Sequence, residues 1–183
     1  MNLYIADHIA NLGTNVFVLD QFHWTSSNED WLKERRRNRP IRVEDYDFVK
    51  DSLRGYKNIG AEAWLWPRPN ARYRSHIIDE ISFQAVTPSM IDIGQQQVEF
   101  GRYISETDYL HSSAVCFIGQ DLVKEFFPNT DPLDKEVLLN GLPFRVIGVA
   151  KALGNTFGQS QDKFALIPLS TIRCTSSKTR SAL

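Results

Sequence analysis

Apolar residues change their spacing several times along this chain, and each change marks a predicted element. Ile5, Ile9 and Leu12 recur at helical intervals over residues 4–12, and Gly13 is placed as a C-terminal stop. Val16, Phe17, Val18 and Leu19 run together within residues 15–22, which predicts a buried strand. Between residues 23 and 40 no period survives. The segment is polar and basic and is interrupted by Trp24 and Trp31, so it reads as a long loop, a feature that usually carries function in a compact domain. Helical spacing returns over residues 43–56. Tyr46, Val49, Leu53 and Tyr56 share a stripe there, while Glu44 and Asp45 complement the dipole in the first turn. Residues 61–66 read as a strand and 67–70 as a turn. Residues 73–86 read as one or two strands, with alternation at Ile81, Phe83 and Ala85.

Thr87 and Pro88 suit the N-cap and first position of a short helix through Ile93. A strand over 97–100 leads into Gly101, and Ser105 and Asp108 are spaced as a capping pair around one helical turn. Residues 114–118 form an apolar, β-branched run expected to be a buried strand. Residues 120–127 form a helix with Leu122, Val123, Phe126 and Phe127 on one face, ended by Pro128. Asn140-Gly141 is the strongest local signal. A type I′ turn there places Leu139 opposite Leu142, and Val137 opposite Phe144. Pro143 lacks an N–H, so its strand belongs at an edge or begins there. Residues 164–169 make a last strand, after which 173–183 form a polar tail. The fold class expected is α+β, in two small lobes of mixed or antiparallel sheets dividing near Thr87, as 1–86 and 87–172.

Composition narrows the function more by exclusion than by assertion. The 183 residues carry a net charge of -1, with 42% hydrophobic and 23% charged residues, which suits a folded domain and gives no sign of a nucleic-acid partner. No window approaches the roughly 18 apolar residues of a membrane span, and the N-terminus does not have the layout of a signal peptide. Cys116 lies in an apolar run and reads as a small core residue, while Cys174 lies in the tail. His8, His23, His76 and His111 are scattered, without the i, i+4 spacing of a helical metal pair. Asp79-Glu80 are adjacent, which on a strand would point them to opposite faces, so a turn charge is the expectation rather than a catalytic pair. Gly148, Gly154 and Gly158 match no phosphate-binding loop. No catalytic, cofactor or metal residue is therefore assigned.

The strongest electrostatic feature is the run from Lys33 to Arg39, with Arg35, Arg36 and Arg37 at its centre. Two readings compete: a solvated face that keeps a long loop soluble, or a patch for an anionic partner. Trp24 and Trp31 beside it add a third, a protein contact site, because aromatics and arginine are enriched at hot spots. Trp64 and Trp66 are two apart on a strand and are expected to share a face packed on the core.

Several segments taken in order resemble the MacB-type periplasmic core domain of ABC transporter permeases. They are Leu12-Gly-Thr-Asn-Val-Phe-Val, Val43-Glu-Asp-Tyr-Asp-Phe-Val, Gly101-Arg-Tyr-Ile-Ser-Glu-Thr-Asp, Ala114-Val-Cys-Phe-Ile-Gly, Leu133-Asp-Lys-Glu-Val, Phe144-Arg-Val-Ile-Gly-Val and Leu166-Ile-Pro-Leu-Ser-Thr. The resemblance implies a porter-like lobe near the membrane, first part in 1–86, and a second, Sabre-like lobe in 87–172. It also implies a non-enzymatic domain on the periplasmic side of a bacterial inner membrane. That domain belongs to a homodimeric permease and transmits ATP-driven change to cargo or to a periplasmic adaptor in export or efflux. ATP and Mg would be bound by a separate ATPase domain or subunit. The family pattern places a membrane helix before Met1 and a return path after Leu183, so part of a longer permease with an incomplete porter-like lobe is expected. The alternative is a free-standing module gripping an anionic partner through Trp24, Trp31, Arg35, Arg36 and Arg37.

Overall fold

The computed structural model describes residues 17–20, 39, 41–65, 69–94, 96–156 and 158–172. The chain divides into two compact units, 1–59 and 60–183. In the first, residues 17–20 are not a buried strand. They pair with no strand among the described residues, and Phe17 is 87% exposed. Without a partner strand among the described residues, the run has no sheet to be buried in. The helix expected over 4–12 lies outside the described residues. So does the basic loop, apart from Arg39.

Helix α1, Val43–Ser52, begins where the Arg42 N–H donates to the Asp45 carboxylate at 2.8 Å, and Arg39 forms an ion pair with the same carboxylate. It stops four residues earlier than its apolar stripe predicted, because Leu53 turns to an extended conformation. Tyr56, past the end, donates its hydroxyl to the Lys50 carbonyl, one of the acceptors a helix end leaves open. No residue of α1 is buried.

The second unit holds strands β1 (Glu62–Trp64), β2 (Ala71–Tyr73), β3 (His76–Ile78), β4 (Ser82–Val86), β5 (Val98–Gly101), β6 (Val115–Ile118), β7 (Glu136–Leu139), β8 (Leu142–Ala150), β9 (Asn155–Thr156), β10 (Gln159–Ser160) and β11 (Phe164–Pro168). Helices α2 (Met90–Ile93), α3 (Glu106–Leu110) and α4 (Gln120–Phe126) are short. Among the described residues, nine strands make one mixed sheet in the order β1-β4-β11-β6-β8-β7-β2-β3, with β5 on β8 beyond the end of β7. β9 and β10 form a separate hairpin. Pairings β4/β11 and β6/β8 are parallel; the others are antiparallel.

The division expected near Thr87 falls inside this unit. β4, which ends at Val86, hydrogen-bonds to β1 on one side and β11 on the other, so the sheet runs straight through that position. The cap moves as well. α2 starts after Ser89, and the Thr87 hydroxyl instead accepts the Ala61 N–H at 2.9 Å across the sheet edge. Residues 73–86, read as one or two strands, hold the end of β2 together with β3 and β4, because Arg74 and Glu80 take positive φ and fold the segment twice.

Central strands β6 and β11 bury every residue, as strands covered on both faces must. One face carries the core of Val86, Tyr103, Ile104, Phe117, Ile147 and Leu166, with Met90 and Ile91 packed on it. The other receives α4, whose neighbours Phe126 and Phe127 both stack near Tyr73. Asn140 and Gly141 have positive φ and pair Leu139 with Leu142, and Val137 with Phe144, as their sequence predicts. Pro143 sits where β8 has β7 on one side and no strand on the other, so its missing donor costs nothing.

The first and last strands of the sheet begin and end at one place. Glu62 at the start of β1 and Pro168 at the end of β11 both align with Val86. Two strand spacings separate them, about 10 Å.

Candidate functional site

Polar organisation in the second unit centres on the corner after β5. Gly101 takes φ +73, and a Cβ there would meet the Ile147 carbonyl at 2.3 Å. A Cβ on Gly148 would meet the Arg102 carbonyl at 2.2 Å. Two glycines thus let the segment after β5 cross β8 at backbone contact. Arg102 then reaches forward, and its guanidinium donates two bonds to the Asp108 carboxylate, at 2.5 and 3.1 Å, and a third to the Tyr103 carbonyl. Ser105 donates its N–H and hydroxyl to the same carboxylate, and Asp108 returns its N–H to the Ser105 oxygen, a complete capping box for α3. The Arg102 guanidinium, ahead of the Ser105 donors, holds the Asp108 carboxyl well below the usual range despite burial. The sequence motif Gly-Arg-x-x-Ser-x-x-Asp is therefore a structural knot. Its cap was readable from spacing; the Arg102–Asp108 pair, six residues apart across a turn, was not.

The helix of this knot is tied to the turn that follows β11. In the helical turn 169–172, Ser170 donates its hydroxyl to the Tyr109 carbonyl at 2.5 Å and Thr171 donates to the Ser113 carbonyl at 3.4 Å. At the C-terminal end of α2, an open groove of about 540 Å³ is lined by Ile91, Gln96, Gln97, Lys151 and Leu153. Beyond it the buried Asp162 carboxylate accepts the N–H groups of Leu153 and Gly154, fixing the loop before β9.

No reactive constellation accompanies these features among the described residues. Cys116 is fully buried, and burial pushes its thiol pKa up, away from thiolate chemistry. Burial, with the charge of Glu62, also raises the Tyr103 phenol. His76 lies 4.0 Å from Glu125, and His111 meets the Thr107 carbonyl at 2.9 Å, both at the surface. No group of three metal-ligating side chains occurs among the described residues, and no described helix is long and apolar enough to cross a membrane. Asp79 and Glu80 lie in the turn between β3 and β4. Trp64 is not in the core: β1 is an edge strand, and the indole is 53% exposed, with its Nε1 3.4 Å from Glu62. Trp24, Trp31, Arg35, Arg36 and Arg37, the candidate partner contacts, lie outside the described residues, as do Trp66 and Cys174.

The model of the MacB-like periplasmic core domain family matches residues 1–182. The chain belongs to that family. A macrolide export ATP-binding/permease protein MacB of Bdellovibrio bacteriovorus is 24% identical over 91% of this chain, the match spanning 25% of its own length. One from Syntrophobacter fumaroxidans is 35% identical over 48% of the chain and 12% of its own length. The family's membership here is thus established over a stretch that makes up a minor part of those relatives. Among solved structures, the periplasmic region of MacB from Actinobacillus actinomycetemcomitans gives a TM-score of 0.63 at 20% identity, over 92% of this chain and 72% of that one. The extracellular domain of the transporter YknZ from Gram-positive bacteria gives 0.62 at 25% identity, over 73% and 65%. The α+β fold of the family is the fold found here.

Proposed function

We propose that this chain is a non-catalytic extracytoplasmic domain of a MacB-like ABC transporter permease, and that it passes ATP-driven rearrangement on to a partner or cargo during export. The family match over residues 1–182 carries the reading. The geometry supports it in a specific way. β1 begins and β11 ends at the same end of the sheet, on either side of β4, and Ser170 and Thr171 tie the turn after β11 to Tyr109 of α3 and to Ser113 just beyond it. Displacement of the turn after β11 is, in this reading, handed to the capped helix α3. In this reading ATP and Mg are bound by a separate ATPase domain or subunit, the permease is a homodimer at the inner membrane anchored by flanking helices, and a periplasmic adaptor is the natural recipient of the motion.

A two-state element is required, with contacts that differ between nucleotide states. The test is site-directed crosslinking of the full-length transporter in membranes, with and without ATP, from positions around α3 and the 169–172 turn. A changed crosslink pattern is expected. Identical patterns under both conditions, in a transporter that still hydrolyses ATP, would overturn the relay.

A further inference from the structure

The antiparallel portion β8-β7-β2-β3 has one face that breaks the expected alternation. Ala71, Val137, Leu139 and Phe144 are buried on the inner side. The residues between them point outward, where an antiparallel sheet wet on one side is normally polar. Register puts Ile77 beside Arg72, Arg72 beside Leu138, and Leu138 beside Pro143, in one continuous row across four strands. Three of these four outward residues are apolar, and Ile77 is 56% exposed. Among them stands Arg72, exposed, with no ion pair to any described carboxylate. On the next rung the charges neutralise one another: Arg145 aligns with Glu136 and pairs with Asp134 at 3.7 Å.

We propose that this row is a docking surface for an acidic, apolar segment of a partner protein, in which a carboxylate meets the Arg72 guanidinium. Arginine framed by apolar residues is the composition of an interface hot spot, and its planar fork matches a carboxylate in two parallel bonds. β3 beside it is an edge strand of the sheet, so the partner can continue past Ile77. A membrane surface is disfavoured by the same charges. Polybasic lipid sites gather several cations, whereas here Glu136 and Asp134 lie on the flank.

The inference stands apart from the transport reading and is tested on the 183-residue chain itself. A random dodecapeptide library displayed on phage is panned on the folded protein, and the best binder is synthesised. Enriched peptides are expected to carry Asp or Glu flanked by apolar residues. Arg72→Glu and Ile77→Asp should each weaken the synthetic peptide about tenfold or more, with circular dichroism unchanged and Arg72→Lys falling between. No enrichment, peptides without acids, or affinity indifferent to Arg72→Glu would each overturn it. Arg72-dependent binding to phosphatidylglycerol vesicles without peptide binding would assign the face to lipid. Concentration-dependent dimerisation abolished by Ile77→Asp would assign it to a second copy of the chain. Either result refutes the proposal.

Discussion

Asp108 shows how one side chain links acid sensitivity to the fold. Its carboxylate accepts from Arg102 and twice from Ser105, so its folded pKa lies below that of the unfolded chain. The stabilisation is fully present above the unfolded value of about 3.9 and disappears as pH falls through that value toward the folded one. Asp108→Asn should lower stability at pH 7 by about 1–3 kcal/mol. It should also flatten the loss expected of the native chain as pH falls below about 4, as read by urea unfolding across pH. Tyr103 makes the opposite case. Its hydroxyl is buried with no hydrogen-bond partner among the described residues, while the ring packs edge-on to Phe117 at 5.0 Å. Tyr103→Phe should leave stability unchanged or raise it by up to about 1 kcal/mol; a clear loss in thermal unfolding would mean that the hydroxyl is satisfied in solution.

Individual elements differ in how far the sequence discloses them, and the difference follows the range of the forces involved. The β7–β8 hairpin was legible to the register because two adjacent residues, Asn140 and Gly141, supply the backbone conformations the turn needs. The capping box of α3 and the buried face of α4 were legible for the same reason. Pairing of β4 with β11 leaves no local mark: Ser82 aligns with Phe164, far along the sequence, so the division near Thr87 could not be tested from pattern. Trp64 misled because alternation reports which residues share a face, not whether that face is covered. The Gly148 crossing is a further long-range constraint. Gly148→Ala drives a methyl into the Arg102 backbone and is expected to destabilise by about 2–3 kcal/mol or more, measurable by chemical denaturation, whereas an alanine at exposed Gln159 should change little.

At the scale of the molecule, the buried hydrophobic residues among those described run from Ala71 to Leu169, and α1 contributes none. Residues 60–183 are therefore expected to retain near-ultraviolet circular dichroism and cooperative unfolding when produced without 1–59; a molten fragment would show that the first unit completes the core. The shared alignment of Glu62 and Pro168 on Val86 has a mechanical consequence. Tension applied between the two attachments would load the hydrogen bonds at that end of β1, β4 and β11 one rung at a time, the unzipping geometry. Shear, which loads all rungs together, would need the attachments at opposite ends. A body hung this way yields easily to being pulled apart at its stem, yet tilts and pushes as one piece. Force passing through it should therefore travel as compression or torque, and a single-molecule pull between residues 61 and 169 should peel it open at low force.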